Sequence, residues 1–194
     1  MKYYAVKNGR KVGIFTTWEE CKAQVNGYSD AKYKSFKTRE EALEFLKGDE
    51  KKEVTKKDTV IAYVDGSYCN EKKIYSYGCI IVLDDKTIEF GGTGKTYLEM
   101  RNVAGEIMGS IEAIKWAISN KYKSIIIHYD YEGIEKWANG IWKTNKEGTR
   151  KYAKSIQEYR NFIDVEFKKV KAHSGDFYNE QADKLAKSCI TSYF

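Results

Sequence analysis

The chain has 194 residues, 42% hydrophobic and 32% charged, with a formal net charge of +6. That length holds one large domain or a small one beside a medium one, and the composition excludes wholesale disorder. Four scattered cysteines, Cys21, Cys69, Cys79 and Cys189, with no C-x-x-C and no paired histidines, argue against a zinc site; with no signal peptide or long apolar run, the chain is expected to be cytoplasmic, with reduced thiols and no membrane partner.

Residues 1–48 carry ten Lys/Arg against six Asp/Glu, together with eight aromatics. A basic, aromatic-rich module suits a polyanion with stackable bases, although a small soluble domain with ordinary lysine faces has the same composition. Residues 2–6 and 12–15 read as strands around the hairpin signal Asn8-Gly9-Arg10-Lys11. Thr17 with Glu20 and Thr38 with Glu41 have capping-box spacing, opening helices over 18–25 and 39–47, with the strand-period segment Lys32–Phe36 between them. The module is ββαβα. On Tyr4-Ala5-Val6-Lys7-Asn8-Gly9-Arg10-Lys11-Val12-Gly13-Ile14-Phe15, Thr17-Trp18-Glu19-Glu20-Cys21 and Tyr33-Lys34-Ser35-Phe36, it resembles the hybrid-binding domain of cellular type 1 ribonucleases H. The resemblance implies contacts to an RNA/DNA hybrid from Trp18, Tyr33 and Lys34, with Ser35 where the family often has a second lysine. Core packing is the alternative for Trp18 and Tyr33.

Residues 49–58, a charged run without apolar periodicity, are expected to be a linker, and 59–194 a second domain. It opens on Val60–Val64, a strand buried on both faces, expected to stop at Asp65, with Asp65-Gly66 as ordinary turn chemistry the competing reading. Tyr77–Leu83 and Thr87–Gly92 follow as antiparallel strands. Gly91-Gly92-Thr93-Gly94-Lys95-Thr96 imitates a phosphate-binding loop, but that motif needs glycine at Glu89. Asn102–Ser119 is an amphipathic helix with Glu106 beside its apolar stripe, where a glutamate also has a plain role with the helix dipole. Ser124–Tyr129 is a buried strand ending on Asp130. Helices are expected over 133–139 and 149–160, a last strand over 164–170 and a terminal helix over 179–189 carrying Asp183.

Asp65, Glu106, Asp130 and Asp183 would meet if the first and fourth strands of this domain are parallel neighbours. Four carboxylates so close repel one another unless cations are bound, and hard oxygen ligands in an open cluster suit Mg²⁺. Tyr63-Val64-Asp65-Gly66-Ser67, Asn102-Val103-Ala104-Gly105-Glu106, His128-Tyr129-Asp130 and Lys171-Ala172-His173-Ser174-Gly175-Asp176 with Asn179-Glu180-Gln181-Ala182-Asp183 follow the order and spacing of type 1 ribonuclease H, which the chain resembles over about residues 59–190. The resemblance implies an α/β, ribonuclease H-like fold: a five-stranded mixed sheet, three strands antiparallel and then two parallel, flanked by helices and preceded by the small α+β module. It implies a monomeric endoribonuclease cutting the RNA strand of RNA/DNA hybrids with two metal ions, Mg²⁺ or alternatively Mn²⁺, and leaving 5′-phosphate and 3′-hydroxyl ends. Asp65, Glu106, Asp130 and Asp183 match the metal ligands. His173 matches a loop histidine assisting proton transfer or product departure. Glu180 matches an auxiliary acid, with helix capping its other role.

Ser67 and Asn102 fall where the hybrid backbone would be met. Arg101-Asn102-Val103 departs from the family's Thr-Asn-Asn or Thr-Asn-Gln, so Arg101 is a candidate replacement phosphate contact. The segment between Asp130 and Trp142 is shorter than in relatives with a basic handle, leaving Trp137, Trp142, Lys143 and Thr144 as a candidate DNA-strand channel, with core packing the alternative for Trp137. A catalytically idle hybrid-binding protein and a nuclease of the integrase or DEDD-exonuclease kind are the competing functions.

Overall fold

A computed structural model describes residues 2–47, 58–84, 86–171 and 175–193. The expected linker lies outside these residues except for Asp58. The chain divides into two compact units.

The first unit contains β1 (Tyr3–Asn8), β2 (Gly13–Phe15), α1 (Trp18–Val25), β3 (Lys32–Phe36) and α2 (Arg39–Lys47), with an antiparallel sheet in the order β2-β1-β3. Both capping boxes form. Thr17 Oγ1 accepts from the Glu20 amide and Glu20 Oε2 accepts from the Thr17 amide, each at 3.3 Å; Thr38 and Glu41 repeat the exchange. Alternation along β1 sends Val6 to one face, against Cys21 and Val25 of α1, and Ala5 to the other, against Ala42 and Leu46 of α2. The helices therefore cover opposite faces of the sheet.

The second unit contains β4 (Thr59–Cys69), β5 (Ile74–Val82), β6 (Thr87–Gly94), α3 (Asn102–Ser119), β7 (Ser124–Tyr129), α4 (Gly133–Ala138), α5 (Glu147–Tyr159), β8 (Asp164–Lys169) and α6 (Phe177–Thr191). Its sheet runs β6-β5-β4-β7-β8, antiparallel across β6, β5 and β4 and parallel across β4, β7 and β8. Val60, Ala62 and Val64 of β4 join Ala104, Ile107 and Ile114 of α3 in one buried core with Ile125 and Ile127 of β7. On the opposite face the Tyr63 ring lies between those of His128 and Tyr178, tilted to both, with ring centroids 4.2 and 5.2 Å away.

Two expectations are corrected. β4 does not stop at Asp65: its pairing with β5 continues to Cys69, and only its parallel partner β7 gives out. The strand expected over 87–92 runs on to Gly94, and the rings of Tyr77 and Tyr75 on β5 occupy the space side chains would need at the paired Gly92 and Gly94. Helices α5 and α6 also begin two residues earlier than expected.

Candidate active site

β4 and β7 are in register as far as Tyr63 opposite His128; Asp65 and Asp130 each stand two residues further on, which makes them neighbours where the parallel ladder ends. Asp65 remains held in β4 by β5, opposite Gly78, while Asp130 follows directly after β7. The helices carrying the other two acids press onto this part of the sheet from either face. A Cβ at Gly105 of α3 would overlap the Ser76 carbonyl oxygen, and one at Gly66 would overlap the Asn102 oxygen and the Glu106 nitrogen. Backbone thus lies on backbone. On the other face α6 sits on Gly78, where a Cβ would overlap the Ala182 oxygen, and Ser76 Oγ donates to the Ala186 oxygen at 2.7 Å. Ser76 therefore touches both helices.

Glu106 is 1% exposed, and its Oε1 accepts from the amides of Asp130 and Tyr131 at 3.2 Å each. Burial and then the Asp130 charge push its carboxyl well above the usual range, against the pull of those two amides. Asp65 Oδ1 accepts from the Gly66 amide at 2.6 Å. Its carboxyl is pushed up to about 7, first by burial and next by Asp130; the Gly66 bond opposes this, Asp183 adds to it and Lys187 lowers it. Asp183 Oδ2 accepts from Lys187 Nζ at 2.7 Å. Asp130 thus bears on both Asp65 and Glu106, and Asp183 on Asp65, which links the four acids through Asp65. Among the described residues no three or more Asp, Glu, His or Cys side chains form a ready-made metal-binding group. A donor set this open suits an ion that keeps several waters, as Mg²⁺ does, and a bound cation would offset both the burial and the mutual repulsion that hold Asp65 and Glu106 towards their neutral forms.

Ser67, two residues beyond Asp65, shares its face of β4 and is half-buried. Asn102 opens α3 and is exposed; the preceding Arg101, also exposed, has φ 51° and ψ −128°, a backbone conformation rare for a side-chain-bearing residue. Glu180 lies in the first turn of α6, one turn before Asp183. His173 lies outside the described residues. Trp137 is half-buried against the core and also meets Tyr131 and Trp142, at 5.7 and 6.0 Å between ring centroids, so neither alternative for it holds alone. Thr144 is half-buried in the segment between α4 and α5.

In the first unit Trp18 and Tyr33 are 41% and 45% exposed, and Trp18 has Tyr33 at 5.9 Å and Tyr4 at 5.8 Å. The β1–β3 register puts Tyr33 opposite Val6, on the α1 face, and Lys34 opposite Ala5, on the α2 face, where its ammonium lies 5.6 Å from the Phe36 ring centroid. The sheet thus separates Lys34 from the two aromatics with which it was grouped.

A family model described as RNase H matches residues 56–191. The chain belongs to the ribonuclease H family. A second model, for the ribonuclease H1 N-terminal domain, matches residues 2–46. Ribonuclease H1 of Mus musculus is 26% identical over 251 aligned positions, covering 95% of this chain and 88% of its own. The crystal structure of RNase H1 from Halobacterium salinarum NRC-1 superposes with a TM-score of 0.59 at 24% identity, over 70% of this chain and 99% of that one. LC11-RNase H1 in complex with an RNA/DNA hybrid superposes with a TM-score of 0.57 at 18% identity, over 68% and 96%. These two likenesses bear on the fold.

Three further residues of this ribonuclease H stand at these sites without a motif to mark them as site residues. Tyr131 follows Asp130, is exposed, and gives its amide to Glu106. Tyr4 completes the aromatic patch on the α1 face. Lys187 carried a legible signal, a cation four residues after an acid on a helix.

Proposed function

We propose that the protein is an endoribonuclease that hydrolyses the RNA strand of RNA/DNA hybrids, with Asp65, Glu106, Asp130 and Asp183 holding two divalent ions, Mg²⁺ or Mn²⁺, and 5′-phosphate and 3′-hydroxyl ends as products. The observation that carries this reading is the electrostatic cluster of the four acids at the end of the β4–β7 ladder. Bound there, the ions would supply a nucleophile at neutral pH and neutralise charge on the phosphate under attack. The protein's own contribution is position. Glu106 is held by two backbone amides, and Asp65 is fixed within a strand rather than on a loop. Ser67, on the Asp65 face of β4, and Asn102, at the start of α3, would contact the hybrid backbone and read its ribose hydroxyls, Arg101 would meet a phosphate, and His173 would move a proton. Trp18, Tyr33 and Tyr4 give the hybrid a stacking surface in the first unit. The complex of LC11-RNase H1 with a hybrid supports this substrate class.

The test is incubation with labelled RNA/DNA, RNA/RNA and DNA/DNA duplexes in Mg²⁺ or EDTA. Only the RNA of the hybrid is cut, and EDTA or Asp130→Asn abolishes the cut. A cleaved DNA duplex, or activity surviving that substitution, would overturn the assignment.

A further inference from the structure

Lys187 has no part in the chemistry proposed above, yet it stands inside the acidic cluster. It lies one helical turn beyond Asp183 on α6, with 2.7 Å between Nζ and Oδ2. Its side chain is 60% exposed and Asp183's only 19%, so the ammonium approaches a largely covered carboxylate from the solvent side. Its charge also reaches Asp65 and Glu180. It borders an open cleft of about 360 Å³ lined by Ser67, Tyr68, Cys69, Asn70, Glu71 and Ile190.

An ammonium and a divalent ion cannot both use the same carboxylate oxygen without strong like-charge repulsion. We infer that Lys187 is a built-in counter-ion that neutralises Asp183 in the metal-free protein and has to leave Asp183 Oδ2 when an ion is taken up there, so that it lowers the cluster's affinity for divalent ions. Two observations favour competition over simple helix support. The pair joins a cation to one of the four acids and not to a bystander. The cleft gives the displaced ammonium an acidic neighbour, Glu71; Asn70 Oδ1 in the same cleft already accepts from Lys73 Nζ at 2.9 Å. The site thus exchanges one cation for another rather than filling from bare acid. This inference rests on the reading of the four acids as metal ligands.

The test is Mn²⁺ binding to the full chain without nucleic acid, read from the EPR signal of the free ion. Lys187→Met keeps the length of the side chain and removes its charge; Lys184→Met removes the same charge one residue after Asp183 without breaking the pair; Lys187→Arg keeps the pair. Since an exposed pair is worth a fraction of a kcal/mol to about 1 kcal/mol, Lys187→Met is expected to bind Mn²⁺ about two- to fivefold more tightly, with the other two variants matching wild type. Equal tightening in Lys184→Met would reduce the effect to net charge and overturn the inference. So would unchanged or weaker binding in Lys187→Met. Asp65→Asn keeps the two failures apart. If it binds Mn²⁺ as wild type does, the metal-ligand reading falls and the inference with it; if it loses binding while Lys187→Met equals wild type, only the inference falls.

Discussion

Asp65 is a carboxyl that folding makes hard to ionise. Burial and the adjacent Asp130 hold it at about 7, whereas in the unfolded chain it titrates near the ordinary aspartate value of about 4. Between those values the folded state keeps a proton that the unfolded state has lost. The contribution of this group to stability is therefore full below about pH 4 and is lost as pH rises through about 7. Asp65→Asn removes the liability. Metal-free variant and wild type should be closest in stability near pH 4, with the variant gaining on the order of 4 kcal/mol by pH 7.5. Thermal melts in EDTA across that range measure the gap, and added Mg²⁺ should close it by stabilising the wild type alone. A gap independent of pH would mean that Asp65 ionises freely in the fold.

Helix α3 delivers Glu106 only because its backbone lies directly on the sheet. Gly105 faces Gly66 and the Ser76 carbonyl, and any side chain there collides with main chain that cannot rotate away. Gly109, one turn later, has more room, with Val64 Cβ at 3.3 Å from where its own Cβ would stand. Alanine at both positions favours helix to a similar degree, so the difference between them isolates seating. Gly105→Ala should cost about 3 kcal/mol and bring activity close to zero as Glu106 lifts off the Asp130 and Tyr131 amides. Gly109→Ala should lie within about 1 kcal/mol of wild type and remain active. Urea unfolding with hybrid-cleavage rates decides, and equal costs would show that α3 can slide on the sheet.

The two units divide the work by chemistry. The second concentrates acids and the first presents aromatics, Tyr4, Trp18 and Tyr33, on one face of a sheet whose other face carries Lys34 over Phe36. If that aromatic face grips the hybrid, Trp18→Ala in the full chain should weaken hybrid binding by about 1 kcal/mol or more, fivefold or more in Kd, with kcat at saturating substrate unchanged. Filter binding and steady-state kinetics separate the two readouts. An unchanged Kd would leave Trp18 a local packing role at the start of α1.

What could be read along the chain was what short-range chemistry controls. Thr17 with Glu20 and Thr38 with Glu41 close their own capping boxes, the apolar period of 102–119 builds α3, and Lys187 is within reach of Asp183 by helical spacing. The four acids could be named because family motifs carried them, not because any local pattern joins residues 65 and 183. Where β4 ends depends on β5, a separate segment that goes on pairing after β7 has stopped. That β6 runs two residues past Gly92 depends on the pairing of Thr93 and Gly94 with Ser76 and Tyr75 of that same β5. That Lys34 parts from Tyr33 depends on its register against β1. Each of these is settled by a hydrogen-bonding or packing partner distant in sequence, and it is through such partners that carboxylates far apart along the chain come to share one electrostatic field.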